Sequence, residues 1–595
     1  MPTSEDQELL AFTNCELLDK GDNTTLIKNL TNNKELLVQH EVAVALTHLS
    51  HFKTLEQHSF DLIKIFPQLK GDLKGAKTVL KSVRDAQMMV SASMTAKNLQ
   101  KESGSSRAPL PSTRVFIITC DRPPALHRLL DSIHTAGQLE RHDSIFVIDN
   151  SRHIKNSSEN QKIVDSINRG NGKGIIYFGV SLQDRLLKTL IDLIPEEEIG
   201  IRFLLDSEKW SSHSSYGLSR NLCLLLSVGY RALILDDDIL CEAIKPPLSS
   251  PGLIFGDGSN RKAIFYQSLE QMQEVRVQTG FNPLIAHSKI LGESTSTALS
   301  LLQHGSLNQS ALKGSNAAFL CSIGADSPIL ISQCGSWGDP GTYNPHWILN
   351  LDEASVAKIV ESPGGLSGAL SHRACWVGYD RACLSKNANI SQLTGLDNSY
   401  LLPPYFPIYR GEDSLFGTMT TCLHPNSVVA NLNWAVPHFP LEDRKERDAK
   451  SPIVGDPGLG LLSRHLSDNL ELKTQANVDN NLKSISAYFL TYSEKSKSEV
   501  FDLFKSERSK RLHEALANLK NRLNTTHINS RSWIKYLERG IEEIEIGIKT
   551  ANILRYEDHE INVIHHQKFA SDFSSSLSAW KLIRHESKNF TSTIC

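Results

Sequence analysis

The residues best suited to chemistry in this 595-residue chain are two groups of carboxylates. The first is Asp236-Asp237-Asp238, which directly follows the apolar run Ala232–Leu235. A short continuous apolar run is the pattern of a strand buried on both faces. Three acids at the mouth of such a strand repel one another unless a cation or hydrogen-bond donors compensate them. A divalent metal ion carrying a phosphate-rich ligand is the economical compensation. The plain alternative is an acidic surface turn after a core strand. The second group is Glu412-Asp413, preceded by Gly411 and by Pro403, Pro404 and Pro407. The prolines make a rigid extended approach and the glycine permits a close turn. An apolar helix start follows, and acids in a first helical turn are ordinary caps.

These groups need a scaffold, and the hydrophobic pattern supplies one. Leu218, Leu222, Leu225 and Leu226 recur at helical spacing, so Tyr216–Val228 reads as an amphipathic helix that Gly229 ends. Val115–Thr119, Ser144–Ile148 and Gly174–Phe178 read as strands. Leu126, Leu129, Leu130 and Ile133 mark a helix between the first two. Strands alternating with helices imply an α/β domain with a mostly parallel sheet covered on both faces. Ligands of such sheets bind beyond the carboxyl ends of the strands, where Thr119, Asp121, Asp149 and Asp236 all fall. Turn formation is the competing role for each of these loop residues.

One stretch ties the helix to the first acidic group. Gly217-Leu218-Ser219-Arg220-Asn221 stands with Asn221 fifteen positions before Asp236, and Asp236-x-Asp238 follows. This combination resembles the core signature of the nucleotide-sugar glycosyltransferases of the GT-A fold, in particular the large inverting family 2. The resemblance covers roughly residues 114–440 and is sharpest at 217–238 and 411–413. It implies a Rossmann-like GT-A domain. Thr119, Asp121, Arg122 and Asp149 would hold the nucleoside, and Arg220, Asp236 and Asp237 would complete the donor site. It implies Mn2+ or Mg2+ bound by Asp238 and Asp236, with His438 completing the shell and His424 as its competitor. Gly411-Glu412-Asp413 resembles the family's acidic motif, which makes Asp413 the catalytic base and Glu412 an orienter or acceptor ligand. The implied donor is a nucleoside-diphosphate sugar, a UDP-sugar foremost. The acceptor would be a carbohydrate, a peptide or a lipid-linked molecule. The implied reaction is single displacement with inversion. A retaining transferase on the same fold and a non-catalytic scaffold binding a peptide or partner stay open. A nucleotidyltransferase is disfavoured, because TCDRPP (Thr119–Pro124) replaces the Gly-rich, basic loop that such enzymes carry after the first strand.

The remainder of the chain reads as flanks. Residues 1–100 are expected to be helical. Within them Val42–His58 is similar to small peptide-binding winged-helix modules of the PqqD type, with a bland helical cap as the alternative. Residues 101–112 have the Ser/Gly/Pro composition of a linker. The catalytic domain is expected over 113–445, with a long insertion at about 241–369. Glu412 lies 174 positions after Asp238, more than compact relatives need. The insertion holds Gly-rich and aromatic stretches that read as lid or binding loops. Trp337, Tyr343 and Trp347 are candidates for stacking on an acceptor or for anchoring a loop. Residues 446–595 are expected to be helical and could support homo-oligomers.

Bulk composition fits a globular enzyme, with 40% hydrophobic and 22% charged residues. A formal charge of −3 argues against a nucleic-acid partner. No apolar run is long enough to span a bilayer, and MPTSEDQELL lacks the form of a secretory signal. The ten cysteines include no C-x-x-C pair and are expected to be reduced thiols. A bacterial cytoplasmic protein, free or peripheral to the membrane, is the implied setting.

Overall fold

The apolar runs become the strands of one large sheet. The computed structural model describes residues 7–69, 71–101, 109–170, 174–256, 261–303, 306–342, 344–362, 364–388, 391–442, 444, 451–455, 458–470, 477–550 and 567–595. Most of the proposed linker and Tyr343 lie outside the described residues.

The N-terminal region is not all helical. It carries β1 (Leu10–Ala11), an antiparallel sheet of β2 (Cys15–Gly21), β3 (Thr24–Asn29) and β4 (Glu35–Gln39), and β5 (Val90–Ser91), which pairs with β1. In β3 every second residue is buried, and two of the three buried residues, Thr25 and Asn29, are polar, so the strand carries little apolar pattern. The expected helices follow at His40–Thr47, Leu55–Ile65, Leu73–Asp85 and Ala92–Gln100. The second of them starts in a capping box between Thr54 and Gln57.

The large sheet contains eleven strands: β6 (Thr113–Thr119), β7 (Ile145–Asp149), β8 (Ile175–Phe178), β9 (Arg231–Asp236), β10 (Leu253–Gly256), β11 (Lys262–Phe265), β12 (Ile329–Gly338), β13 (Cys375–Gly378), β14 (Ala382–Ser385), β15 (Leu393–Asp397) and β16 (Val428–His438). Along its main path the order is β10-β14-β16-β12-β15-β9-β6-β7-β8. From β9 through β6 and β7 to β8 the pairing is parallel throughout, as the alternation with helices predicts. β15 joins that half antiparallel to β9 and β12. Phe116, Phe146, Leu233 and Leu235 are fully buried, and helices cover both faces.

The stretch expected to be an insertion of loops is largely regular structure. It supplies β12, a ten-residue strand in the middle of the sheet, flanked by β15 and β16. Trp337 is an anchor: it is buried and donates its indole N–H to the Met272 carbonyl at 3.1 Å. Trp347 stacks on Phe265 at 5.9 Å between ring centroids.

The C-terminal region is helical, with helices at Gly460–Asn469, Val478–Glu494, Lys497–Thr525, Arg531–Thr550 and Ala570–Ser592. These helices share hydrophobic cores with the sheet layers. Trp580 donates to the Leu402 carbonyl at 2.7 Å, so the last helix braces the approach to Glu412-Asp413. Among the described residues no helix is long and apolar enough to cross a membrane.

Candidate active site

The helix Tyr216–Leu226 joins the two acidic groups through three residues of its first two turns. Gly217 lies against the segment before Glu412; a Cβ there would meet the Phe406 carbonyl oxygen at 2.0 Å. Only glycine lets the two backbones come this close. Asn221 is fully buried, and its amide acts as a peptide mimic. Its Oδ1 accepts from the Tyr405 N–H at 2.7 Å and its Nδ2 donates to the Tyr405 carbonyl at 3.0 Å. Asn221→Ala would strand both buried backbone groups, and such losses run at about 1–3 kcal/mol each. We expect a stability loss of about 2–6 kcal/mol in denaturant unfolding.

Arg220 then points between the clusters. Its Nε stands 3.5 Å from Asp413, and its terminal nitrogens stand 3.9 Å from Glu412 and 4.0 Å from Asp236. The guanidinium is 11% exposed and lies over the Tyr405 ring. Burial opposes its charge, but Asp413 and Asp236 more than offset this and hold it firmly protonated.

The three consecutive aspartates have different surroundings. Asp236, at the end of β9, is half-buried, and Arg220 is its nearest cation. Burial, with the charge of Asp238, pushes it up to about 6. Asp237 is buried. It accepts from the Thr119 hydroxyl at 2.7 Å and from Arg122 at 3.2 Å. Burial and the neighbouring Asp238 push it up to about 7. Thr119 and Asp237 therefore brace each other across the ends of β6 and β9.

Asp238 is also buried, but His438 stands 3.0 Å from its Oδ1, and Arg444 and Arg122 stand 2.9 and 3.3 Å from its Oδ2. Burial works against its ionisation, but the His438 hydrogen bond and these cations prevail and bring it down to about 2. The chain path explains the contact. Ile239 bridges to His438, and the Phe439 N–H donates to the Asp238 carbonyl at 3.1 Å. Arg128 ties both sides by donating to the carbonyls of Asp238 and Phe439.

His438 Nδ1 donates to the Asp339 carbonyl. A carbonyl only accepts and an ionised carboxylate only accepts, so both ring nitrogens carry protons. Burial lowers the affinity of this ring for its proton, but the bond to Asp238 dominates and raises it. Nε2 and Oδ1 are 3.0 Å apart, about the separation of adjacent ligands around a cation held at roughly 2.0–2.2 Å. A ligating histidine whose other nitrogen donates to a backbone carbonyl is the usual orienting arrangement. Asp238 and His438 thus fit a divalent ion that replaces the proton between them, with Asp236 nearby. Among the described residues no three His, Cys, Asp or Glu side chains converge as a closed cage, so further ligands would come from the substrate and water. His424 is not a competitor. It caps the far end of the helix Glu412–Leu423 and bonds the Leu401 carbonyl at 2.9 Å.

Two further nucleoside candidates, Asp149 and Asp121, accept hydrogen bonds within the protein. Asp149 is buried, and its carboxylate accepts from the Ser151 N–H, Asn160 and the Tyr177 hydroxyl at 2.6–2.9 Å. Asp121, at a positive φ of 57°, accepts from the N–H groups of Arg152 and His153 and from Asn156. It fastens the loop after β6 to the helix Ile154–Arg169. Arg122 is the residue of that loop that reaches the aspartates.

Across Arg220 lies the second group. Gly411 is left-handed at φ 93° and turns the chain into the helix Glu412–Leu423. Glu412 is buried. Burial and the adjacent Asp413 charge push it up to about 7, against the pull of Arg220. Burial likewise raises Asp413. Asp413 Oδ1 is sealed from solvent without a hydrogen-bond partner among the described residues. Both acids line a cavity of about 410 Å3 together with Gln333, Trp347, Asn431 and Arg261.

Sequence reasoning missed Arg444, Arg128, Asp339 and the clamp on Tyr405. Arg444 stands in the run EDRKER, whose ordinary reading is a solvated face. A scan against models of known protein families matches none of them to this chain, and a search of curated proteins returns no match.

Proposed function

We propose that the protein is a metal-dependent glycosyltransferase of GT-A type. It would transfer a sugar from a nucleoside-diphosphate sugar, a UDP-sugar foremost, to an acceptor hydroxyl with inversion. The observation that carries this reading is the single guanidinium, Arg220, standing 3.5–4.0 Å from Asp413, Glu412 and Asp236. The cation-holding group and the proton-accepting group therefore belong to one centre.

Asp238 and His438 would hold a divalent ion, with Asp236 directly or through water. When bound, that ion supplies Lewis-acid stabilisation of the negative charge on the leaving diphosphate. Arg122 and Arg444 already stand at Asp238 and are suited to pair with diphosphate oxygens. Asp413 would take the proton from the acceptor hydroxyl as the new glycosidic bond forms. Its Oδ1 is sealed from solvent and stands 3.5 Å from Arg220 Nε without accepting a hydrogen bond, so it keeps the capacity to accept one. Glu412 and Arg220 would hold Asp413 in place and set its proton affinity.

The pH dependence follows from the raised carboxyls. A base must be ionised to act, so transfer rate is expected to rise with pH over a range displaced above that of an ordinary aspartate, because burial raises Asp413. Stability moves the other way. The folded state holds the Glu412 proton up to about 7, whereas the unfolded chain gives it up near 4.5. Between those values the folded state binds more protons, so stability falls as pH rises through the window. Glu412→Gln is expected to reduce that slope in unfolding measured from pH 5 to 8, the remainder coming from the raised carboxyls of Asp236, Asp237 and Asp413.

A thermal-shift panel of nucleoside diphosphates, with and without manganese, tests the assignment. Stabilisation by one nucleotide that requires the metal is expected. No shift with any nucleotide would favour a non-catalytic scaffold.

A further inference from the structure

The cavity beside Asp413 has a composition that none of the proposed donor chemistry uses. At about 410 Å3 it falls within the roughly 300–1,000 Å3 of ordinary small-ligand pockets. Its floor is an amide pair from two neighbouring central strands. Gln333 on β12 donates to Asn431 on β16 at 2.8 Å, and Asn431 donates to the Cys383 carbonyl and the Ser385 hydroxyl of β14. Each amide is thereby fixed in orientation, as groups that read hydroxyls must be. One wall is Trp347, held by its stack on Phe265. Its indole N–H is sealed from solvent and has no acceptor among the described residues. An aromatic face with a spare donor beside oriented amides is the chemistry that binds a sugar ring.

The charges at this cavity do not balance in the same way at every point. Arg410 is engaged: it lies over the Tyr216 ring, donates to the Tyr216 hydroxyl at 3.2 Å, and favours ionisation of Glu412 and Asp413. Arg261 is half-buried, lines the cavity, and has no ion-pair or hydrogen-bond partner among the described residues. A half-buried guanidinium without an anion is an open site for one, and the fixed fork of its donors suits carboxylate or phosphate.

We infer that this cavity is the acceptor subsite and that it takes an anionic saccharide, a sugar bearing a carboxylate or a phosphate, whose acid group pairs with Arg261. The inference rests on the assignment of Asp413 as the base, because that places the acceptor hydroxyl at the cavity's edge. Gln333, Asn431 and Trp347 orient the ring, and Arg261 selects the acid group.

The test is binding measured by saturation-transfer NMR on the full chain, with glucose, glucuronic acid and glucose 6-phosphate as probes. The wild type is expected to bind at least one anionic probe about tenfold tighter than glucose. The preferred probe identifies the acid group as carboxylate or phosphate. Arg261→Gln is expected to abolish the preference while leaving glucose binding unchanged, and Arg261→Lys, which keeps the charge, to retain part of it. Melting temperatures of both variants report whether they fold. Equal affinity for the three sugars in the wild type, or a preference that survives Arg261→Gln, overturns the inference. Manganese-dependent nucleotide binding, measured on the same samples, reports separately on the donor assignment. Its absence with the Arg261-dependent preference intact would sink the transferase reading, and the acceptor role with it, while the anionic-saccharide site itself stood.

Discussion

Asp413→Asn is expected to lower turnover by about 10²–10⁴-fold while leaving metal-dependent nucleotide affinity unchanged. The asparagine is nearly isosteric and keeps an acceptor oxygen, so the helix start at Gly411 and the contact with Arg220 have no steric reason to move. What it loses is the capacity to take a proton. Nucleotide affinity stays because the side chains at Asp238 belong to the other side of Arg220. The charge removed is one of three around Arg220, and Glu412 and Asp236 still compensate it. Single-turnover measurements with saturating donor separate the two effects. A variant with near-normal turnover would place the base elsewhere.

Asp238→Asn is expected to weaken metal-dependent nucleotide binding by about 10²-fold or more, whatever the acceptor. The reason is the number of cations that this one carboxylate holds in register. His438, Arg444 and Arg122 all stand within 3.3 Å of it. Without the charge, the imidazole loses its carboxylate partner, and the two arginines lose the one carboxylate they share, Arg122 keeping Asp237 and Glu442 and Arg444 keeping Asp339. The variant is also expected to lose the acid dependence of Asp238. That group is ionised more readily in the fold than in the unfolded chain. The stability it contributes is therefore present above its unfolded pKa near 4 and disappears as pH falls toward about 2. Titration calorimetry with manganese and nucleotide measures the affinity. Binding equal to the wild type would remove Asp238 from the site.

Much of this site was legible in the sequence because its parts are local. The helix over Tyr216–Leu226, the strand Arg231–Asp236 and the glycine turn at 411 follow from periodicity and punctuation. What was not legible depends on tertiary contact. Nothing in the run Asp236-Asp237-Asp238 says that Asp237 turns inward to Thr119 while Asp238 meets a histidine two hundred residues later. Asp149 and Asp121 illustrate the reverse case. They stand beyond the strand ends where ligands bind, yet Asn160, Tyr177 and backbone donors occupy their oxygens. The stretch around QCGSWG misled for a physical reason. Glycines read as loop punctuation, but in β12 they mark close backbone approach. A Cβ on Gly335 would meet the Val377 carbonyl oxygen at 2.8 Å, and one on Gly338 would meet that of His438 at 2.2 Å. The strand that holds Gln333 at the cavity therefore looked like a lid.

The N-terminal region shows how weak patterning hides a sheet. β2 and β4 are largely exposed, and of the buried alternate positions of β3, Thr25, Ile27 and Asn29, only Ile27 is apolar, so no strand here shows an apolar-polar alternation. Helices with a contiguous apolar face, such as Leu55–Ile65, gave the stronger trace.

One measurement tests the central claim directly: proton NMR of the wild type with a panel of nucleotide sugars and manganese, following both nucleotide release and the configuration of the sugar product. The expected result is that one donor is consumed only when metal is present, with the product's anomeric configuration opposite to the donor's, and that consumption is lost in both Asp238→Asn and Asp413→Asn. No consumption of any nucleotide sugar, or consumption that both variants retain, would contradict it.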